Sequence, residues 1–132
     1  MSLIAKSGTP SLASLLPTGG QVIPGLKAGS AGVAAGDVCY IDGSTGTATK
    51  SDGTSANAAA VGFGIAAGDA AAGEAVTLYK GVIFHYGSGL TPGAPYYVAA
   101  TAGRLDTAAT TGGTVVVARA IDATRILFTG QA

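Results

Sequence analysis

The sequence predicts an all-β fold, a small sandwich or barrel with an extended N-terminal arm, and three observations carry that prediction. The 22 glycines among 132 residues leave few windows long enough for a helix. The longest glycine-free stretch, Thr114 to Thr129, is rich in Val, Ile and Thr; such side chains lose rotamers in a helix and fit a pleated surface. Turn dipeptides such as Asp42-Gly43 and Asp52-Gly53 punctuate the chain, and turns at intervals of roughly ten residues suit a sandwich or small barrel.

Residues 1–32 read as the arm. Pro10, Pro17 and Pro24 recur there, with Leu12, Leu15, Leu16, Val22, Ile23 and Leu26 between them. Proline at that density excludes long helices and central strands, leaving an extended segment with one short edge strand near Gln21–Ile23. Its large apolar side chains need a surface to cover them, either the chain's own domain or a partner.

Residues 33–132 read as the β-rich domain. Val38, Tyr40 and Ile41 mark a strand over 37–42, and Thr47–Ser51 a second one. Val61, Phe63 and Ile65 alternate with Gly62, Gly64 and Ala66, a period-2 pattern that places the large residues on one face. Strands over 74–79 and 82–86 follow around Lys80-Gly81, and then come 95–99, 104–107, 114–121 and 125–128. An internal echo accompanies them: Gly36–Ile41 aligns with Gly93–Val98, Gly46 with Gly103, and Val61 and Ile65 with Val117 and Ile121. A duplicated unit would mean two similar hairpin sets sharing one core.

Composition narrows the function classes. Seven basic and seven acidic side chains cancel, and charged residues make 11% of the chain, less than half the roughly 25% of an ordinary soluble domain. A neutral chain with scattered cations has no electrostatic footprint for phosphate backbones, so no nucleic-acid partner is expected. Apolar runs of a few residues fall far below the roughly 20 that a spanning helix needs, so no membrane partner is expected. Met1-Ser2-Leu3-Ile4-Ala5-Lys6 lacks the apolar core of a cleaved export signal. Ala contributes 27 of the apolar residues, and larger ones number 36, enough for one thin core.

Reactive chemistry finds little support. Gly62-Phe63-Gly64-Ile65-Ala66-Ala67 matches a dinucleotide fingerprint formally, but that fingerprint needs a strand before it and a helix N-terminus after it. His85, the single histidine, sits between Phe84 and Tyr86 on an expected strand, and Ser88 beside it lacks a nucleophile elbow. Cys39, the single cysteine, reads as a small hydrophobe. Asp37, Asp42, Asp52 and Asp69 each neighbour glycine, as turn residues do. No catalytic residue, metal site or cofactor is expected, and the chain is not expected to be an enzyme. Tyr79, Tyr86, Tyr96 and Tyr97 are candidates for an interface or for stacking on a sugar.

A run of motifs between Asp52 and Tyr86 carries a family resemblance. Ser51-Asp52-Gly53-Thr54, Ala58-Ala59-Ala60-Val61-Gly62 and Ala66-Ala67-Gly68-Asp69 come first. Val76-Thr77-Leu78-Tyr79-Lys80 and Gly81-Val82-Ile83-Phe84-His85-Tyr86 follow. In order and spacing this resembles the phage lambda head decoration protein family, the small capsid-stabilising proteins of tailed phages. Gly89-Leu90-Thr91-Pro92-Gly93-Ala94-Pro95-Tyr96-Tyr97-Val98 is similar to a stretch of other phage cement and head-fibre proteins, and the C-terminal part is longer than in the lambda-type protein. The resemblance implies a tulip-like β domain and a homotrimer at three-fold positions of the expanded head, on the outer capsid surface of the virion. Its partner would be the major capsid protein, and its N-terminal arm would add strand pairing to the shell. On that reading Leu12, Leu15, Leu16, Val22 and Ile23 face the shell, while Tyr79, Phe84, Tyr86 and Tyr97 form the trimer interface. The alternative is a head- or tail-fibre module that binds host-surface glycans through Tyr96 and Tyr97.

Overall fold

The computed structural model describes residues 3–15 and 20–131, with side chains described for 3–12 and 20–131. Eleven strands form among them: β1 (Lys6–Leu15), β2 (Gln21–Lys27), β3 (Val38–Ile41), β4 (Ala48–Lys50), β5 (Gly64–Ala66), β6 (Ala75–Lys80), β7 (Val82–Gly87), β8 (Pro95–Val98), β9 (Leu105–Asp106), β10 (Ala118–Ala120) and β11 (Arg125–Phe128). The helical content of the described residues is one 3-10 turn, Ala58–Ala60, capped by the Asn57 side chain. The all-β expectation holds.

Two antiparallel sheets result, ordered β1-β7-β11-β10-β8-β9 and β2-β6-β5-β3-β4. The six-stranded sheet curls until its two ends meet: Leu3 bridges Asp106, Ile4 N–H donates to the Leu105 carbonyl at 3.2 Å, and Arg104 Nη2 donates to the Ile4 carbonyl at 2.7 Å. Inside the curl lie Phe84, Tyr86, Tyr96, Ile126 and Phe128, capped by Val38 and Ile65 from the other sheet. Each large side chain fully withdrawn from water contributes about 1.5–3 kcal/mol. The five-stranded sheet is buried on both faces, because Cys39, Ala66, Val76 and Leu78 point the other way into a second cluster with Ala28, Val33 and Ala70.

The echo between the two halves reappears as topology. β3, β4, β5 and β6 stand in the order β4-β3-β5-β6, and β9, β8, β10 and β11 repeat it as β9-β8-β10-β11. Val38 and Ile65 from the first set share a core with Val98, Val117 and Phe128 from the second.

One expectation is not confirmed and another needs correction. The extended arm over residues 1–32 is not confirmed: β1 pairs with β7 and β2 with β6, each at the outer edge of its sheet. The segment does avoid central positions, as its prolines require. The single-face alternation of Phe63 and Ile65 also fails. Ile65 enters the inter-sheet core while Phe63 packs against the second cluster, because regular strand geometry begins only at Gly64.

Candidate assembly surface

The N-terminal strands pair along β6 and β7, which follow one another around Gly81 and belong to different sheets. β1 runs from Lys6 opposite Gly87 to Leu15 opposite Val82, and β2 runs from Gln21 opposite Lys80 to Lys27 opposite Ala75. This N-terminal segment is fastened at its start. Lys6 Nζ donates to Asp37 Oδ1 at 2.7 Å and to the Ala35 carbonyl at 3.1 Å. Asp37 Oδ2 accepts from Ala34 N–H at 2.8 Å and lies 3.6 Å from Lys50 Nζ. Asp37 is only 3% exposed, and a buried carboxylate is tolerated when cations and donors surround it in this way.

Of the five shell-facing candidates, the structure brings four to these strands. Leu12 is half-buried against the core and sits opposite Phe84. Leu15 ends the β1 register. Leu16 lies outside the described residues. Val22 is 46% exposed and stands in a cross-strand row Val22–Tyr79–Ile65–Val38. Ile23 turns the other way and packs against the second cluster.

The proposed trimer contacts divide sharply. Phe84 and Tyr86 are fully buried inside the curled sheet, so neither has surface to give a partner, and both are corrected to core residues. The strand alternates as a half-buried strand does: Val82, Phe84 and Tyr86 point inward and His85 outward. Tyr79 and Tyr97 are half-buried and keep area at the surface. Tyr96 is 2% exposed and belongs to the core, which removes it as a sugar-stacking platform.

Sequence reasoning missed part of the outer face. Ile83 and Leu127 are paired neighbours, half-buried, on the solvent side of the six-stranded sheet next to Arg119. The signal was available, since each stands one position from a buried Phe on its strand. An apolar depression of about 280 Å³ is lined by Tyr40, Ile41, Ala58, Val61 and Phe63. Beside it Lys80 Nζ sits 4.3 Å from the Phe63 ring centroid and donates to the Gln131 carbonyl at 2.7 Å; burial pushes its ammonium below the usual lysine range.

His85 is exposed, opposite Ser11 on one side and Arg125 on the other. Cys39 is buried, and burial together with the neighbouring Asp37 charge pushes its thiol up to about 12, far from the reactive thiolate range. Backbone and side-chain donors from Thr124 and Arg125 hold the Asp122 carboxyl well below the usual range in a surface turn. Among the described residues no three His, Cys, Asp or Glu side chains gather as metal ligands would, and no helix is long and apolar enough to cross a membrane. No protein-family model matches the chain, and no curated protein sequence matches it.

Proposed function

We propose that this chain is a capsid decoration protein of a tailed phage. It acts as a non-enzymatic homotrimer that binds the major capsid protein lattice at three-fold positions and stabilises the expanded head from outside. The observation that supports this reading is the edge position of β2: it has β6 on one side and no strand among the described residues on the other. An open edge offers N–H and C=O groups to an extended partner. The exposed Val22 adds apolar area beside it. The register shift between Ile23 and Leu26 confines such pairing to short runs at either end of the strand.

The rest of the chain fits a mechanical role. Buried apolar area is little weakened by salt, whereas a charged contact would be screened. Three shallow contacts on a lattice act together, so modest affinity per subunit becomes firm attachment.

Two measurements test the proposal. Light scattering of the purified protein at micromolar concentration is expected to give three chains per particle. Co-sedimentation with heads of the encoding phage is expected to show binding to expanded and not to unexpanded heads. The Val22→Asp variant is expected to stay folded and bind at least tenfold more weakly. A monomer that ignores expanded heads overturns the reading.

A further inference from the structure

The chain contains two Asp-Gly steps, Asp42-Gly43 and Asp52-Gly53, and the fold treats them in opposite ways. Such a step is chemically labile. The amide nitrogen of the following residue attacks the aspartate side-chain carbon, and glycine offers no Cβ to shield that nitrogen. How often the attack succeeds depends on how freely the two groups meet.

At the second step every group is held. Gly53 is buried, and its N–H donates to the Ala99 carbonyl at 2.8 Å. The Thr110 hydroxyl and the Val98 carbonyl leave no room for a Cβ on it. Asp52 N–H donates to the Ala59 carbonyl at 2.7 Å. Asp52 Oδ1 accepts from Thr54 N–H at 2.9 Å and from Thr54 Oγ1 at 2.5 Å. Those two bonds hold the carboxyl below its usual range, and the ionised form that they favour is the poorer electrophile.

The first step lies at the tip of the β3–β4 hairpin. Gly43 is exposed, a Cβ on it would meet open space, and its N–H has no partner among the described residues. Asp42 Oδ1 accepts from Ser44 N–H at 2.8 Å and from Thr45 N–H at 3.3 Å. That turn closes a ring containing the unbonded Gly43 nitrogen.

We propose that Asp42 is a site of spontaneous isoaspartate formation and that Asp52 is spared. The Gly43 nitrogen bonds to Asp42 Cγ and gives up its proton, and a side-chain oxygen leaves as water, closing a five-membered imide. Water then adds back at either imide carbonyl. Addition at the former side-chain carbonyl restores aspartate. Addition at the former main-chain carbonyl breaks its bond to the Gly43 nitrogen and leaves the backbone running through Cβ and Cγ. The product keeps the mass and charge of the parent and lengthens the hairpin backbone by one carbon. The Asp42 carbonyl oxygen, which accepts from Gly46 N–H at 2.7 Å, becomes part of a free carboxylate.

The test keeps the purified full chain in warm, mildly acidic buffer for several weeks. Its peptides are then mapped with a protease that cuts before aspartate and not before isoaspartate. Isoaspartate at 42 is expected to exceed that at 52 by about tenfold or more, since a bonded, buried amide reacts only when its segment opens. In urea the two steps are expected to convert at similar rates, which assigns the difference to the fold. Gly43→Ala, which fits the open space there, is expected to slow conversion at 42 several-fold. Asp42→Glu is expected to abolish it, because the larger ring closes far more slowly. Equal conversion at both steps of the folded chain, conversion at 52 alone, or none at 42 overturns the proposal, as does a preference for 42 that persists unchanged in urea.

Discussion

Lys6 and Asp37 meet at 2.7 Å, joining the first residue of β1 to the turn that leads into β3. One buried carboxylate thereby fastens the N-terminal strand to the body. Asp37→Ala leaves the Lys6 ammonium with the Ala35 carbonyl but no counter-charge and takes the acceptor from the Ala34 N–H, and breaking such a pair is expected to cost about 3–5 kcal/mol. Lys6→Met leaves Lys50 beside the carboxylate and is expected to cost about 1–2 kcal/mol. Urea unfolding of the two variants measures the difference. Equal, small losses would show that the pair does not anchor the strand.

Phe84 and Tyr97 are expected to separate core from surface. Phe84 is fully buried, so Phe84→Ala costs about 3–5 kcal/mol, enough to lower the melting temperature by many degrees. Tyr97 is half-buried at the sheet surface, and Tyr97→Ala is expected to lose well under half as much. If Tyr97 lies in the trimer interface, its variant dissociates on dilution before it unfolds, which light scattering across a dilution series reads directly.

Gly113 is among the tightest backbone approaches in the second half. Its N–H donates to Thr110 Oγ1 at 2.9 Å while that hydroxyl donates to the Val98 carbonyl at 2.7 Å. A methyl group on Gly113 would run into the Val98 carbonyl oxygen and the Thr110 hydroxyl. Gly113→Ala is expected to cost about 1–3 kcal/mol. Gly68→Ala, which meets open space, is expected to stay within about 0.5 kcal/mol. Thermal melts of the pair check both values.

Cys39 predicts a specific alkaline limit. Its folded thiol titrates near 12 against an ordinary value of 9.0, so the neutral thiol is the form that folding favours. The associated stability is complete below 9.0 and is lost progressively as pH rises from there through about 12. Unfolding free energy measured across that window is expected to fall less steeply in Cys39→Ala than in the parent. Iodoacetamide at pH 8 is expected to leave the native thiol unmodified and to label it fully in urea.

Much of the fold was legible because local chemistry and tertiary structure agree there. β3, β4, β6, β7, β8 and β11 sit where alternation and turn residues place them. β10 is shorter than its Val-rich sequence suggests, because Val117 pairs irregularly with Tyr96 and Thr129 before the strand begins. β1 is not legible because the density of Pro10, Pro17 and Pro24 argues against a strand, while an edge strand with bulges accommodates Pro10. Phe84 and Tyr86 were misplaced for a different reason. An aromatic strand looks the same whether its large face meets water or a second sheet, and only the curl of β7 through β9 decides.

Pro24 carries a consequence beyond attachment. A sheet that ends in an open strand can recruit further chains and grow into fibrils. Pro24 supplies no amide hydrogen, and with Gly25, at φ +80°, it breaks β2 into pieces too short for an unrelated strand to zip along. Pro24→Val is therefore expected to leave the melting temperature nearly unchanged while making concentrated solutions turn turbid and thioflavin-positive on storage. Solubility at high copy number, more than stability, is what this one ring protects.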